Sequence, residues 1–192
     1  MSNIIKNHLS KSVVITGASV AGKTTLCRRL MTHFCLEPLP VQMTRKSRGG
    51  EVENVDGVFI VEEEFKLRFS KGCYMQKSLE SAYFSGSYYG CPRKWVSSIE
   101  SGNYHCFVCP TVKMAKEIKD LLGKKIFWVH LVANSAVRRQ RLMQRNPDMK
   151  KEDFESRIAR GSASIDVSGN DLVIDTSYLN AWEIFFHALA RI

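Results

Sequence analysis

The residues of this chain best suited to chemistry lie together near its start: Gly17, Ala18, Ser19, Val20, Ala21, Gly22, Lys23 and Thr24, with Thr25 following. They fit Gly-x-x-x-x-Gly-Lys-[Ser/Thr] at every fixed position. Glycine at both ends lets the backbone turn tightly, so that several N–H groups converge on one phosphate. A helix starting at Lys23 would add the positive end of its dipole. Lys23 can reach the β- and γ-phosphate oxygens of a nucleoside triphosphate. Thr24 can place its hydroxyl on a magnesium ion that bridges them. ATP and Mg2+ are therefore the expected cofactors, with residues 17–25 binding the nucleotide, Thr24 as metal ligand and Lys23 as a catalytic cation.

Further cations stand at two places downstream. Arg45 and Arg48 follow about one strand later, and Arg138, Arg139, Arg141 and Arg145 make a basic helical stretch towards the C-terminus. A short chain with a phosphate loop near residue 17 and arginines at these positions has the plan of a small phosphotransferase. One end holds the donor, a small lobe holds the acceptor, and an arginine-rich lid closes over both. An isolated run of charge reads first as a solvated helix face; the phosphate loop upstream favours the lid. Cys106-x-x-Cys109, just after His105, has the spacing of half a zinc site. The run 105–109 is apolar, though, and reads as a buried strand, on which residues three apart face opposite ways. No second Cys-x-x-Cys pair completes a tetrahedron.

The elements that must position these groups alternate. Residues 12–16 are a β-branched run stopped by Gly17, followed by helical spacing at Leu26, Leu30 and Phe34. Short strands are expected over 41–44 and 58–61, then an acidic helix start at Glu62. Residues 74–89 suggest short strands and turns. A helix over 95–101, a strand over 105–109 and a helix around 114–122 follow, then a strand over 126–132. Helices over 136–144 and 151–164, a strand over 171–175 and a helix over 179–192 complete the chain. Strands separated by helices imply right-handed crossovers and a parallel sheet covered on both faces.

The composition excludes other classes. At 192 residues the chain is one domain. With 44% hydrophobic and 24% charged residues it can bury a core, which excludes a disordered chain. Its 12 glycines and 5 prolines exclude a fibrous one. The net charge of +9 calls for anionic partners. Residues 1–12 lack the apolar core of a signal peptide, and no apolar run approaches the ~20 residues of a bilayer span. A cytoplasmic protein with reduced cysteines is expected, with no membrane and no nucleic-acid partner, as a monomer or homodimer.

Several segments in order make the chain resemble the guanylate kinase family over about residues 13–192. These are the phosphate loop and Thr44-Arg45-Lys-Ser-Arg48-Gly-Gly50-Glu51. Phe59-Ile-Val-Glu-Glu-Glu-Phe65 comes next, then Glu80 ahead of Ser85-Gly-Ser-Tyr88-Tyr89-Gly90. The last is Arg141-Leu-x-x-Arg145 with Arg157 beyond it. The resemblance implies an α/β P-loop kinase fold, three layers around a central parallel sheet. The core would span about 11–43, 91–133 and 165–192, a small acceptor-binding lobe about 44–90, and an arginine-rich lid about 134–164. It also implies roles. Arg45, Arg48 and Tyr89 would grip the phosphate of the acceptor. Glu80 would read a guanine edge, although taken alone it reads almost as readily as a surface carboxylate. Arg141, Arg145 and Arg157 would neutralise charge on the transferring phosphoryl group.

Some family positions differ. Val108 and Pro110 stand where the family has Asp-x-Asp, which serves the metal and the guanine; Cys91 replaces Ser or Thr, Val41 replaces a polar base contact, and no tyrosine lies near Gly57. The phosphate grips survive while the base-reading parts are partly lost. Three readings follow: a kinase acting on a nucleoside monophosphate, GMP or dGMP first; a kinase for another phosphorylated acceptor such as ribose 1,5-bisphosphate; and a non-catalytic binding module, which the intact Lys23 and Thr24 disfavour.

Overall fold

The computed structural model describes residues 9–48, 50–160 and 167–192. Along the chain, β1 (Ser12–Gly17) leads through the loop into α1 (Lys23–Phe34). β2 (Gln42–Met43) and β3 (Val58–Phe59) precede α2 (Glu62–Ser70), α3 (Leu79–Ala82), β4 (Tyr83–Phe84) and β5 (Ser87–Gly90). Then come α4 (Trp95–Glu100), β6 (Cys106–Val108), α5 (Val112–Leu122), a 3₁₀ turn and β7 (Ile126–Val132). The chain finishes with α6 (Ser135–Arg145), α7 (Lys151–Arg160), β8 (Leu172–Asp175) and α8 (Ala181–Leu189).

The central sheet has the order β6-β1-β7-β8, and every neighbouring pair is parallel. Such a sheet must be covered on both faces, which is why β1 and β7 are near-continuous apolar runs. Val14 and Trp128, in register, face one core with Met114 and Ile118 of α5 and Trp95 and Ile99 of α4. Val13, Ile15, Val129 and Leu131 face the other, against Leu26 and Leu30 of α1 and Ile184 and Phe185 of α8. Each such side chain, fully buried, contributes roughly 1.5–3 kcal/mol. This is the expected three-layer α/β fold with its parallel sheet. No helix among the described residues is long and apolar enough to cross a membrane.

The strands expected over 41–44 and 58–61 do not join that sheet. They form a second one, ordered β3-β2-β5-β4, with β2 and β3 parallel and β5 antiparallel to both β2 and β4. Among the described residues no helix lies between β2 and β3 to carry the chain back across the central sheet, so β2 pairs locally instead. Gln42 and Met43 thus belong to the second sheet, two residues before the boundary expected at 44. A separate aromatic cluster supports it: Phe65 of α2 stacks on Tyr74 at 4.5 Å and on Tyr88 at 5.4 Å. The helix expected over 151–164 is described as far as Arg160. Residues 161–164, with 165–166 of the expected core and Gly49 of the arginine motif, lie outside the described residues.

Candidate active site

The loop geometry follows from its glycines. Gly17 adopts φ 144°, and a Cβ there would lie 2.3 Å from the Leu131 carbonyl oxygen of β7. Gly22 adopts φ 100° and caps α1 with no side-chain hydrogen bond. By contrast Thr111, Asn134 and Asn180 cap α5, α6 and α8 with their side chains. The first-turn N–H groups of α1 therefore have neither an intrahelical acceptor nor a side-chain cap, as an anion-binding helix end requires. Val20, a β-branched residue at φ 58°, is a strained point in the loop.

One cavity of about 1300 Å³ gathers most of the expected residues. Gly17, Ala18, Ser19, Val20, Gly22, Lys23, Thr24 and Thr25 line it; Ala21 is buried behind them. So do Arg45, Arg48 and Tyr89 from the second-sheet region, and Arg141, Arg145 and Arg157 from α6 and α7. Lys23 Nζ donates to the Gly17 and Ala18 carbonyls, both at 2.8 Å. Its burial, followed by the charges of Arg48 and Arg145, lowers its pKa to about 8. Burial together with Arg45 and Arg157 lowers Arg48 to about 10. Arg141 donates to Thr176 O at 2.6 Å and Thr176 Oγ1 at 3.1 Å, and that hydroxyl sits 3.1 Å from the Ala21 carbonyl. The arginine therefore braces the loop from the end of β8.

The basic stretch of α6 divides by helical periodicity. Arg138 is 1% exposed and donates to Ala133 O and, across to α7, Ile158 O. Arg139 holds Glu155 of α7 through two bonds of 2.7 and 2.6 Å. Only Arg141 and Arg145, four apart, reach the cavity. Two of the four arginines thus build the α6–α7 pair, and two line the cavity.

Glu80 does not join them. It lies on α3, a four-residue helix capped by Ser78, with its side chain 90% exposed and nearest Lys113 at 3.9 Å. Cavity carboxylates come instead from Glu51, Asp56 and Asp153, none given a role by the sequence reading, although Glu51 closes one of its motifs. Glu51 closes a fork on Arg45, with two bonds of 2.7 Å, and accepts the Arg48 N–H at 2.8 Å. Burial pushes its carboxyl up, but the Arg45 hydrogen bonds, the Arg48 N–H and both guanidinium charges outweigh this and hold it below 4.5. Its place at the end of the Thr-Arg-x-x-Arg segment was the available signal. His130 also lines the cavity; the signal there was one polar residue inside an apolar strand.

The two cysteines of Cys106-x-x-Cys109 point into different cores. The Cys106 thiol meets Cys27 and the Cys109 thiol meets Cys91, and burial pushes both Cys106 and Cys109 well up. Among the described residues no group of three or more His, Cys, Asp or Glu could hold a metal ion. Thr24 is left as the one expected protein ligand, which suits magnesium because it keeps water and phosphate oxygens around it.

Residues 9–185 match the family model for guanylate kinase. The chain belongs to the guanylate kinase family. A guanylate kinase from Clostridium perfringens is 30% identical over 149 residues, 77% of this chain and 67% of that protein. One from Chlamydia muridarum is 32% identical over 152 residues, 77% of this chain and 72% of its own. The crystal structure of guanylate kinase from Anaplasma phagocytophilum matches with a TM-score of 0.66 at 18% identity, covering 95% of this chain and 84% of that one. A gluconokinase from Sinorhizobium meliloti matches at 0.54 with 12% identity, covering 95% and 91%, and shares the fold alone. As a member of the guanylate kinase family the protein is an ATP-dependent phosphotransferase that uses Mg2+.

Proposed function

We propose that this guanylate kinase family member transfers the γ-phosphoryl group of ATP to GMP or dGMP. The observation that carries the reading is that Lys23 and the acceptor arginines Arg45 and Arg48 line the same cavity, with Arg141, Arg145 and Arg157 beside them. The loop N–H groups and Lys23 would hold the donor phosphates. Arg45 and Arg48, with the Tyr89 hydroxyl, would fix the acceptor phosphate as nucleophile, the fork of Arg45 being set by Glu51. Thr24, with phosphate oxygens and water, would hold magnesium, which would supply charge neutralisation at the phosphates. The arginines of α6 and α7 then meet the charge that develops on the phosphoryl group in flight. No covalent intermediate is needed, so the rate rests on positioning and electrostatics.

A second reading is favoured by the exposure of Glu80 together with Val108 and Pro110, which leave the acceptor end without those base-reading carboxylates. An acceptor held by phosphate alone, such as ribose 1,5-bisphosphate, would need no base contact. ADP release with ATP and Mg2+ against GMP, dGMP, AMP, CMP, UMP, dTMP and ribose 1,5-bisphosphate separates the two. Turnover with GMP or dGMP supports the first reading, and turnover with the sugar phosphate alone replaces it. No turnover with any of them, alongside ATP binding, leaves a binding module or another acceptor. Lys23→Ala should lower phosphotransfer roughly a hundredfold or more, and an unchanged rate would sink the mechanism.

A further inference from the structure

A buried polar side chain lines the cavity without a role so far: His130 of β7, 5% exposed and bordering the same space as Lys23. It stands in register with Thr16 of β1, one residue before the loop. A chain of two hydrogen bonds reaches it from Trp128 through Thr16. The Trp128 indole N–H can only donate, and it donates to Thr16 Oγ1 at 2.7 Å. Thr16 Oγ1 lies 2.8 Å from His130 Nδ1. When the Thr16 hydroxyl gives its single proton to Nδ1, Nδ1 accepts and the ring's own proton sits on Nε2. Burial, then the charge of Lys23, lowers the His130 pKa, which keeps the ring neutral at pH 7. Among the described residues Nε2 makes no hydrogen bond. In that tautomer the ring keeps one donor for a ligand, with Nδ1 held by Thr16.

We infer that His130 Nε2–H is an uncharged donor to a phosphoryl oxygen of the nucleotide seated in the loop, beside Lys23. A neutral donor suits this place. The cavity already holds Lys23, Arg48, Arg141, Arg145 and Arg157, and another cation would add to their repulsion without adding direction. The inference rests on the phosphate-loop reading and specifies which further side chain holds the chain of phosphates.

The test uses the full chain with inorganic tripolyphosphate and no metal, so that only direct phosphate contacts count. His130→Asn keeps an amide near the position of Nδ1 for Thr16 but removes the outward donor, whereas His130→Gln reaches the position of Nε2. His130→Asn should weaken tripolyphosphate binding roughly three- to tenfold, with the melting temperature of the ligand-free protein little changed, and His130→Gln should stay within about twofold of wild type. In the wild type, ¹⁵N-histidine spectra should show His130 protonated at Nε2, with that signal moving as tripolyphosphate is added. Wild-type affinity in His130→Asn, a proton on Nδ1, or an Nε2 signal that ignores the ligand would overturn the inference. Lys23→Ala is the companion control. If wild type binds, Lys23→Ala does not, and His130→Asn matches wild type, the loop reading stands and the role of His130 falls. If wild type itself fails to bind, both fall.

Discussion

Arg48 and Glu51 show how single side chains divide the work at the proposed acceptor end. Arg48 sits among other cations with its guanidinium pKa lowered to about 10, a cost that an acceptor phosphate would reverse. Arg48→Ala should therefore raise the acceptor KM more than tenfold while ATP KM moves little, because a charge-assisted contact of roughly 1.5–3 kcal/mol is lost. Glu51 acts in the folded protein without substrate. Its carboxyl titrates below 4.5 in the fold, so the stability it contributes is complete above about 4.5 and drains as pH falls through the folded value. Glu51→Gln should be less stable than wild type at pH 7, and its urea midpoint should fall less steeply below about pH 4.5. A wild-type acid limb in the variant would show that Arg45 does not hold this carboxylate. At this scale the contiguous motifs were legible: the loop needs only its own spacing, and Arg45 and Arg48 lie on one short segment. His130 stood out only as a polar residue in an apolar strand; its pairing was not legible, because Thr16 is 114 residues away and only the register of two strands brings them together.

Elements decide which charged residues reach the site. α6 and α7 are joined by Arg138 to Ile158 and by Arg139 to Glu155, so they form one body that presents Arg141, Arg145 and Arg157 together. Helical periodicity separates these roles in principle, since Arg138 and Leu142 are four apart and share the buried face. The place of Glu80 could not be read in the same way. It depends on Ser78 capping a separate four-residue helix that turns the carboxylate outward, and spacing before the Tyr-Tyr-Gly segment does not reveal that turn. The second sheet has its own point of tension. β5 passes against Tyr74 at Gly90, where a Cβ would lie 2.5 Å from the ring. Gly90→Ala should cost about 1–3 kcal/mol, a fall of several degrees in melting temperature, and should raise the acceptor KM more than the ATP KM. Equal change in both KM values would mean that the second sheet and the phosphate loop are not separable.

At the scale of the molecule, two sheets meet around one opening. The β-branched runs and helix spacings made the central sheet legible. That β2 and β3 leave it was not, because a strand of two residues carries no periodicity to say which sheet it joins. Across the opening Arg28 of α1 reaches Asp56, beyond β2, at 2.5 Å, an ion pair between the two sheet regions at the cavity wall. The net charge of +9 is also unevenly spent, since nine of the lysines and arginines line the same space. Before any nucleotide arrives, that crowding is a self-energy which the folded chain carries and the unfolded chain does not. Dissolved counter-ions act on it in two opposed ways. With a screening length of about 10 Å at 0.1 M, added KCl relaxes the repulsion inside the empty protein but also masks the field that draws in polyanions. Raising KCl from roughly 50 to 300 mM should lift the melting temperature of the ligand-free protein while the KM for ATP climbs several-fold and kcat changes little. A KM that ignored salt would mean the crowded arginines contribute nothing to capture. In a rising one, the ions that ease the vacant fold are the rivals of its substrates.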